Sequence, residues 1–438
     1  MSPVEPSGHR VPWLRLWVDG EEAAGDVVAS LRVEERVDRA STLTLVMASS
    51  PMETPAAGDG SADGGDWDTL LRGTQARDVG MPGLALLSRI SVGFALRSEG
   101  RDGPSDDQLV FDGYVTGLEH RYAESRASDS ELEVDAMDAS YLMHLETVTR
   151  RWEDATDHEV ASAIYRKYGF GVEADPTPRR SGAVGIVQQR CTDAALIRML
   201  ARRNGFEAFV APAVAARPTP GASAGLGVVG RFRHAPVGRE MLPPASLFPQ
   251  TAPTLTDLTA RCDAQRPAAI RGWHIDDRRM LVRATEVTDA GYQPGTVAAT
   301  DRTRGQVVND RLAVILGSNP PLVPVDIDTA DAPHDDNELE AMARSRFRQE
   351  GWFATAEATI AASRYGRIVR AGSTLPVEGA GPIFGGSWYV LAAVHRWGAT
   401  RQLDGDEPQH AIGPAAEHVD FDYEVDVELA RTSLGGRP

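Results

Sequence analysis

The chain has 438 residues, of which 42% are hydrophobic and 25% charged, a composition that suits a folded globular protein too long for a single core, so roughly two to four domains are expected. A formal net charge of -18 at pH 7 excludes nucleic acid as a partner, because phosphate counterions are displaced only by a basic face. The only cysteines, Cys191 and Cys262, stand far apart and outside any C-x-x-C, which excludes a disulfide scaffold and a cysteine zinc site.

The N-terminal stretch MSPVEPSGHRVPW lacks an apolar signal core, and no run approaches the roughly 18 apolar residues of a membrane span. Cytoplasmic assembly without membrane insertion is expected. From Val11 the sequence reads as short strands: Trp13 to Trp17 up to a turn at Asp19-Gly20, then Val27 to Val37, then Ser41 to Ala48 with Leu43 and Leu45 alternating. Residues 51–80, rich in Gly, Asp and Ala, read as a loop insertion. Ile90 to Arg97, Gln108 to His120 and Glu131 to Met137 resume the strand pattern and close a β-barrel-like domain over residues 1–145.

Residues 146–250 read as an α/β insert. Thr156 and Glu159 have the spacing of a capping box, which predicts a helix to about Tyr168 with Gly169 stopping it. Thr192 caps a second helix carrying Leu196, Met199, Leu200 and Arg203 at helical spacing. Asn204-Gly205 ends that helix, and Phe206 to Val210 then reads as a strand to which Val228 to His234 returns across the 211–227 loop.

Residues 251–438 read as a second β-barrel-like domain. Thr254 to Ala264 is helix or strand, Arg271 to Ala284 a strand, and Asp336 opens a helix at 336–349 whose face is Leu339, Met342, Ala343 and Phe347. Ala354 to Ala361 and Ile368 to Val377 read as strands. The final strand, 418–429, alternates without a break: Val419, Phe421, Tyr423, Val425 and Val427 on one face, Asp420, Asp422, Glu424, Asp426 and Glu428 on the other. That acidic face is expected to be wet or to meet a basic partner. The fold class is therefore mixed and β-rich, α+β, with the α/β insert between the two barrel-like domains.

Motifs of catalysis lack their context. Gly221 to Gly225 matches G-x-S-x-G around Ser223, but a proline-rich loop precedes it and no helix follows. Gly225 to Gly230 matches G-x-G-x-x-G without the strand before and helix after that dinucleotides need. His158-Glu159 begins H-E-x-x-H, yet Ser162 stands at the second ligand position. The tail carboxylates lack the glycine turn of a calcium loop, and His395 within a β run reads as a packed histidine. No catalytic residue, metal or cofactor is expected.

Three stretches carry a resemblance. The helix end and strand with Leu200, Ala201, Arg203, Gly205, Phe206 and Phe209 resemble a signature of phage late-control D proteins and of the hub part of VgrG spike proteins. Leu109 to Leu118 resembles the "Phe-x-Gly-x-Val" strand of their first barrel. Arg370-Ala371-Gly372-Ser373, leading through Val377-Glu378-Gly379 and Phe384-Gly385-Gly386 to Trp388-Tyr389-Val390 and His395, resembles their later run, with Ala371 where proline is usual.

The resemblance implies a baseplate hub of a contractile injection system such as a phage tail, a tailocin or an extracellular injection particle. Such a hub is a homotrimeric ring that adapts a trimeric spike to the hexameric inner tube and touches other baseplate subunits. It implies a mechanical role and no enzyme, with the spike on a separate polypeptide. Val419, Phe421, Tyr423, Val425 and Val427 are then expected at a spike or subunit interface, since the spike of fused relatives continues from this point. The competing expectations are a tail-associated cell-wall hydrolase and the distal tail protein of a non-contractile phage.

Overall fold

Alternation near the N-terminus builds the first half of the fold. The computed structural model describes residues 10–23, 28–49, 84–98, 108–121, 130–179, 187–213, 218, 227–236, 240–248, 253–264, 270–276, 280–287, 302–303, 307–308, 310–317, 336–399 and 421–435. The loop insertion at 51–80, Ser223 and Val419 lie outside these residues.

Strands β1 (Arg10–Val18), β2 (Glu21–Ala23), β3 (Val28–Arg36), β4 (Thr42–Ser49), β5 (Arg89–Ser98), β6 (Gln108–Arg121) and β7 (Ser130–Asp138) pair antiparallel in the order β2-β1-β5-β6-β7-β4-β3. Their inward positions carry Leu14 and Leu16, Leu31 and Val33, Leu43 and Leu45, Val92 and Phe94, and Leu132 and Val134, all buried. Each such side chain contributes about 1.5–3 kcal/mol on leaving water. The same alternation puts Glu35, two positions after Val33, on the apolar face, where it is 4% exposed.

The insert follows. A 3-10 helix, Ala139–His144, leads to β8 (Thr147–Trp152), α1 (Asp157–Lys167), β9 (Gly171–Ala174), β10 (Val187–Thr192), α2 (Asp193–Asn204), β11 (Glu207–Pro212) and β12 (Val228–Arg233). The capping box at Thr156 and Glu159 forms, and the Thr192 side chain accepts from the Ala195 N–H at 3.2 Å. β12 pairs antiparallel with β11 and parallel with β9, while β8 and β10 make a ribbon of their own. That ribbon escaped the sequence reading because its sequence, TVTRRW against VQQRCT, mostly faces solvent. Val160, Ile164, Tyr165, Leu196, Leu200 and Phe232 form the insert's core.

The second half comprises β13 (Ala245–Ser246), β14 (Leu255–Cys262), β15 (Ile270–Asp276), β16 (Leu281–Val287), β17 (Arg302–Thr303), α3 (Asp310–Leu316), α4 (Asp336–Glu350), β18 (Ala354–Ala361), α5 (Ala362–Tyr365), β19 (Thr374–Glu378), α6 (Gly381–Phe384), β20 (Gly386–Ala399), β21 (Phe421–Arg431) and β22 (Ser433–Leu434). The ambiguous stretch after Thr254 is strand. The stretch from Arg271 to Ala284 is a hairpin, β15 with β16, rather than one strand. Ile368 to Val377 is not one strand either: a turn at Arg370–Ser373 precedes β19, with the Ser373 N–H donating to the Arg370 carbonyl at 3.3 Å.

The two halves share one antiparallel sheet. Its order runs β14-β18-β21-β20-β3 and on through the first half to β2, thirteen strands with β13 and β19 at the side. β20 makes the join. Its beginning, Gly386 to Tyr389, pairs with β19, and its end, Ala392 to Gly398, pairs with β3. One core runs across the join, from Leu14 and Phe94 to Tyr423 and Val425. The fold is mixed and β-rich.

Candidate functional site

The join holds a buried ion pair. Glu35 on β3 is paired with Arg370, whose Nε lies 2.6 Å from Oε1 and donates to Oε2 at 2.9 Å, and Oε2 also accepts from the Ala371 N–H at 3.2 Å. Arg370 also donates to the Leu109 carbonyl on β6. Burial pushes the Glu35 carboxyl up, and Arg370 pulls it back. A few ångströms away, His395 on β20 meets the Tyr423 hydroxyl through Nδ1 at 2.7 Å, and Phe94 stacks on Tyr423 with ring centroids 4.0 Å apart. Burial drives His395 down to about 3, so it is neutral and packed, as its setting in a β run predicts. Residues more than 330 positions apart meet here, so the Arg370 motif holds the two halves together.

A second set of contacts surrounds the end of α2. Gly205 has φ +64°, and a Cβ there would sit 2.8 Å from the Ser345 carbonyl oxygen of α4; glycine therefore both ends α2 and lets α4 approach. Helix C-termini leave carbonyls without intrahelical donors, and α4 supplies them. Ser345 Oγ donates to the Arg202 carbonyl at 2.8 Å, Gln349 donates to the same oxygen, and Arg348 Nη1 donates to the Asn204 carbonyl at 3.1 Å. Arg203 turns the other way and binds Asp157 at the start of α1, with Asn204 Nδ2 on the same carboxylate at 2.6 Å.

Beyond Gly205 the chain enters β11. Glu207 is buried, paired with Arg233 Nε at 3.0 Å and accepting from the Tyr389 hydroxyl of β20. Trp352 lies parallel to the Tyr389 ring, centroids 5.7 Å apart. Glu207, Tyr389 and Trp352, together with Val37, Phe206 and Leu391, wall a cleft of about 330 Å³ that Arg36, Asp38, Arg202 and Arg348 also line. The first and last resembling stretches thus converge on one cleft. Arg36, Arg348 and Trp352 were not singled out by sequence, since more than 300 residues separate Arg36 from the other two.

The tail strand lies elsewhere. β21 is an interior strand, paired on one side with β18 and on the other with β20. Tyr423, Val425 and Val427 are 0%, 0% and 2% exposed, so this chain's own core takes the side chains expected at a partner interface. Phe421 pairs with Ala399 in the backbone ladder. The acidic face finds its basic partners within the chain: Glu428 meets Arg36 at 2.7 Å, and Asp426 meets Arg396 at 2.9 Å.

The remaining motifs fall in structural roles. Glu159 caps α1, accepting from the Thr156 N–H at 2.7 Å, and His158 Nδ1 sits 3.1 Å from the Thr177 hydroxyl. Gly227 leads straight into β12 with no helix. Among the described residues no cluster of three or more His, Cys, Asp and Glu is arranged to hold a metal, and no helix is long and apolar enough to cross a membrane.

Comparison with known proteins gives the fold a context. A family model described as the Alg8 N-terminal domain matches residues 99–216, less than half of the chain. No curated protein matches the sequence. Among solved structures the chain is similar to the 43 kDa tail protein of prophage MuSo2 from Shewanella oneidensis, with 11% identity, a TM-score of 0.54, and 96% of this chain and 98% of that chain covered. A tail protein from Neisseria meningitidis MC58 gives 12% identity, a TM-score of 0.52 and 96% coverage of both chains. The E. coli c3393 protein, a component of the type VI secretion system, gives 12% identity, a TM-score of 0.48, and 97% and 79% coverage. At such identity the first two likenesses establish a shared fold.

Proposed function

We propose that this chain is a structural subunit of a phage tail-like particle and serves as its baseplate hub. In this reading three copies form a ring that adapts a trimeric spike to the hexameric inner tube, touching other baseplate subunits at its rim. The observation that carries the reading is the fold shared with two tail proteins, one of them from a prophage, over nearly the whole of each chain. Fold alone does not fix function, but a surface feature agrees with an assembled state. The β15–β16 hairpin stands outside the main sheet and exposes Trp273, Ile275, Met280, Leu281 and Val282, each 49–79% accessible. Trp273, Ile275 and Val282 share one face of the hairpin by register, and an exposed apolar patch on a folded protein suits a contact surface.

Spike and tube proteins are the proposed partners. The role is mechanical and needs interfaces rather than a reaction centre. Light scattering on the purified chain, with negative-stain images of the same peak, tests the ring. A trimeric annulus is expected; a monomer that stays monomeric on mixing with spike and tube proteins would count against the hub.

A further inference from the structure

We infer that the cleft at the end of α2, with the outer face of that helix, is a docking site for an acidic polypeptide segment carrying one large apolar side chain. The inference does not depend on the ring. Three observations carry it. The cleft, at about 330 Å³, has an apolar and aromatic wall of Val37, Phe206, Trp352 and Leu391 beside Tyr389, room for one bulky side chain, and its two carboxylates, Asp38 and Glu207, are already paired with Arg36 and Arg233. Arg202 stands at its rim and is exposed, and Arg198, one helical turn earlier, is exposed on the same face. Among the described residues neither guanidinium has a carboxylate partner, whereas Arg36, at the same rim, is paired with Glu428 and Asp38.

Two arginines without a carboxylate partner among the described residues thus stand side by side on a chain of net charge -18. Their fields reach about 10 Å at 0.1 M salt, enough to attract carboxylates to this rim. Guanidinium groups take carboxylates in paired hydrogen bonds, and an aromatic wall supplies the burial that charge alone does not. An extended segment with an aromatic or aliphatic anchor between acidic residues satisfies both requirements.

The test uses the full chain and fluorescein-labelled peptides, Asp-Glu-Leu-Trp-Asp-Glu and its counterpart with Asn and Gln for the acids, followed by fluorescence anisotropy. The acidic peptide is expected to bind, to weaken as salt is raised, and to outcompete the neutral one at least tenfold. Arg202→Glu should weaken it tenfold or more, and Arg121→Glu, an equal charge change at an exposed site on β6, should not. Ala235→Trp, which fills the cleft without changing charge, should weaken it as much, with the fold verified by circular dichroism.

Equal affinity for both peptides, equal loss in the Arg121 variant, or no binding up to about 1 mM would overturn the proposal. So would competition by free glutamate at the same concentration, which would indicate a small-carboxylate site. Self-association of the wild-type chain that Arg202→Glu abolishes would also overturn it, since the occupant would then be a second copy.

Discussion

At the scale of single residues, the molecule depends on charges placed where the strand pattern calls for apolar groups. Glu35 follows Leu31 and Val33 onto the inner face of β3 and is tolerated because Arg370 and the Ala371 N–H meet it there. Removing one member of a buried pair leaves the other uncompensated, so Arg370→Ala should destabilise the fold by about 3–5 kcal/mol; urea unfolding measures this, and the double change Glu35→Leu with Arg370→Met should recover much of the loss. Glu207 gives a pH dependence. Burial pushes its carboxyl up to about 7, with Arg233 and the Tyr389 hydroxyl pulling against burial. A carboxyl raised in the folded state stabilises fully below its unfolded value and loses that contribution as pH rises through the folded value. Stability should therefore fall by up to about 3 kcal/mol between roughly pH 4.5 and pH 7 from this group, at about 1.4 kcal/mol for each pH unit. Glu207→Gln should remove that part of the slope in unfolding curves taken across the range.

At the scale of elements, close approaches decide where glycine must stand. A Cβ at Gly113 would fall 2.1 Å from the Met137 carbonyl oxygen across the β6–β7 ladder, and one at Gly205 would press on the α4 backbone while the residue holds a left-handed φ. Gly205→Ala should cost at least about 1–2 kcal/mol from backbone conformation alone and should raise hydrogen exchange at the α2–α4 contact first. Much at this scale was legible in the sequence. Thr156, Thr192 and Gly205 mark helix ends because caps are local chemistry, and the alternation of Tyr423, Val425 and Val427 gave β21 its inward face. Alternation does not say against what that face is packed, so a strand read as an interface is an interior strand of the sheet. Nor does local pattern show that Arg370 must turn to reach Glu35, which is why Ile368 to Val377 reads as one strand and is a turn followed by β19.

At the scale of the whole molecule, β20 joins the halves by pairing with β19 over its first residues and β3 over its last. Sequence reading gave two barrel-like clusters and the insert, but the partner of β3 lies more than 350 residues away and leaves no local trace. The cleft was invisible for the same reason, except where the resembling stretches happened to line it. If the exposed hairpin is an assembly surface, Ile275→Asp with Val282→Asp should leave the melting temperature within a few degrees while abolishing any oligomer seen by light scattering. The central claim, membership of a tail-like particle at its baseplate, is tested most directly by particles purified from the producing cell and labelled with gold-conjugated antibody against this chain. Gold confined to the baseplate end of the tube, with three copies for each particle by quantitative mass spectrometry, is the predicted result. Particles that contain their tube and spike but lack this chain would contradict it.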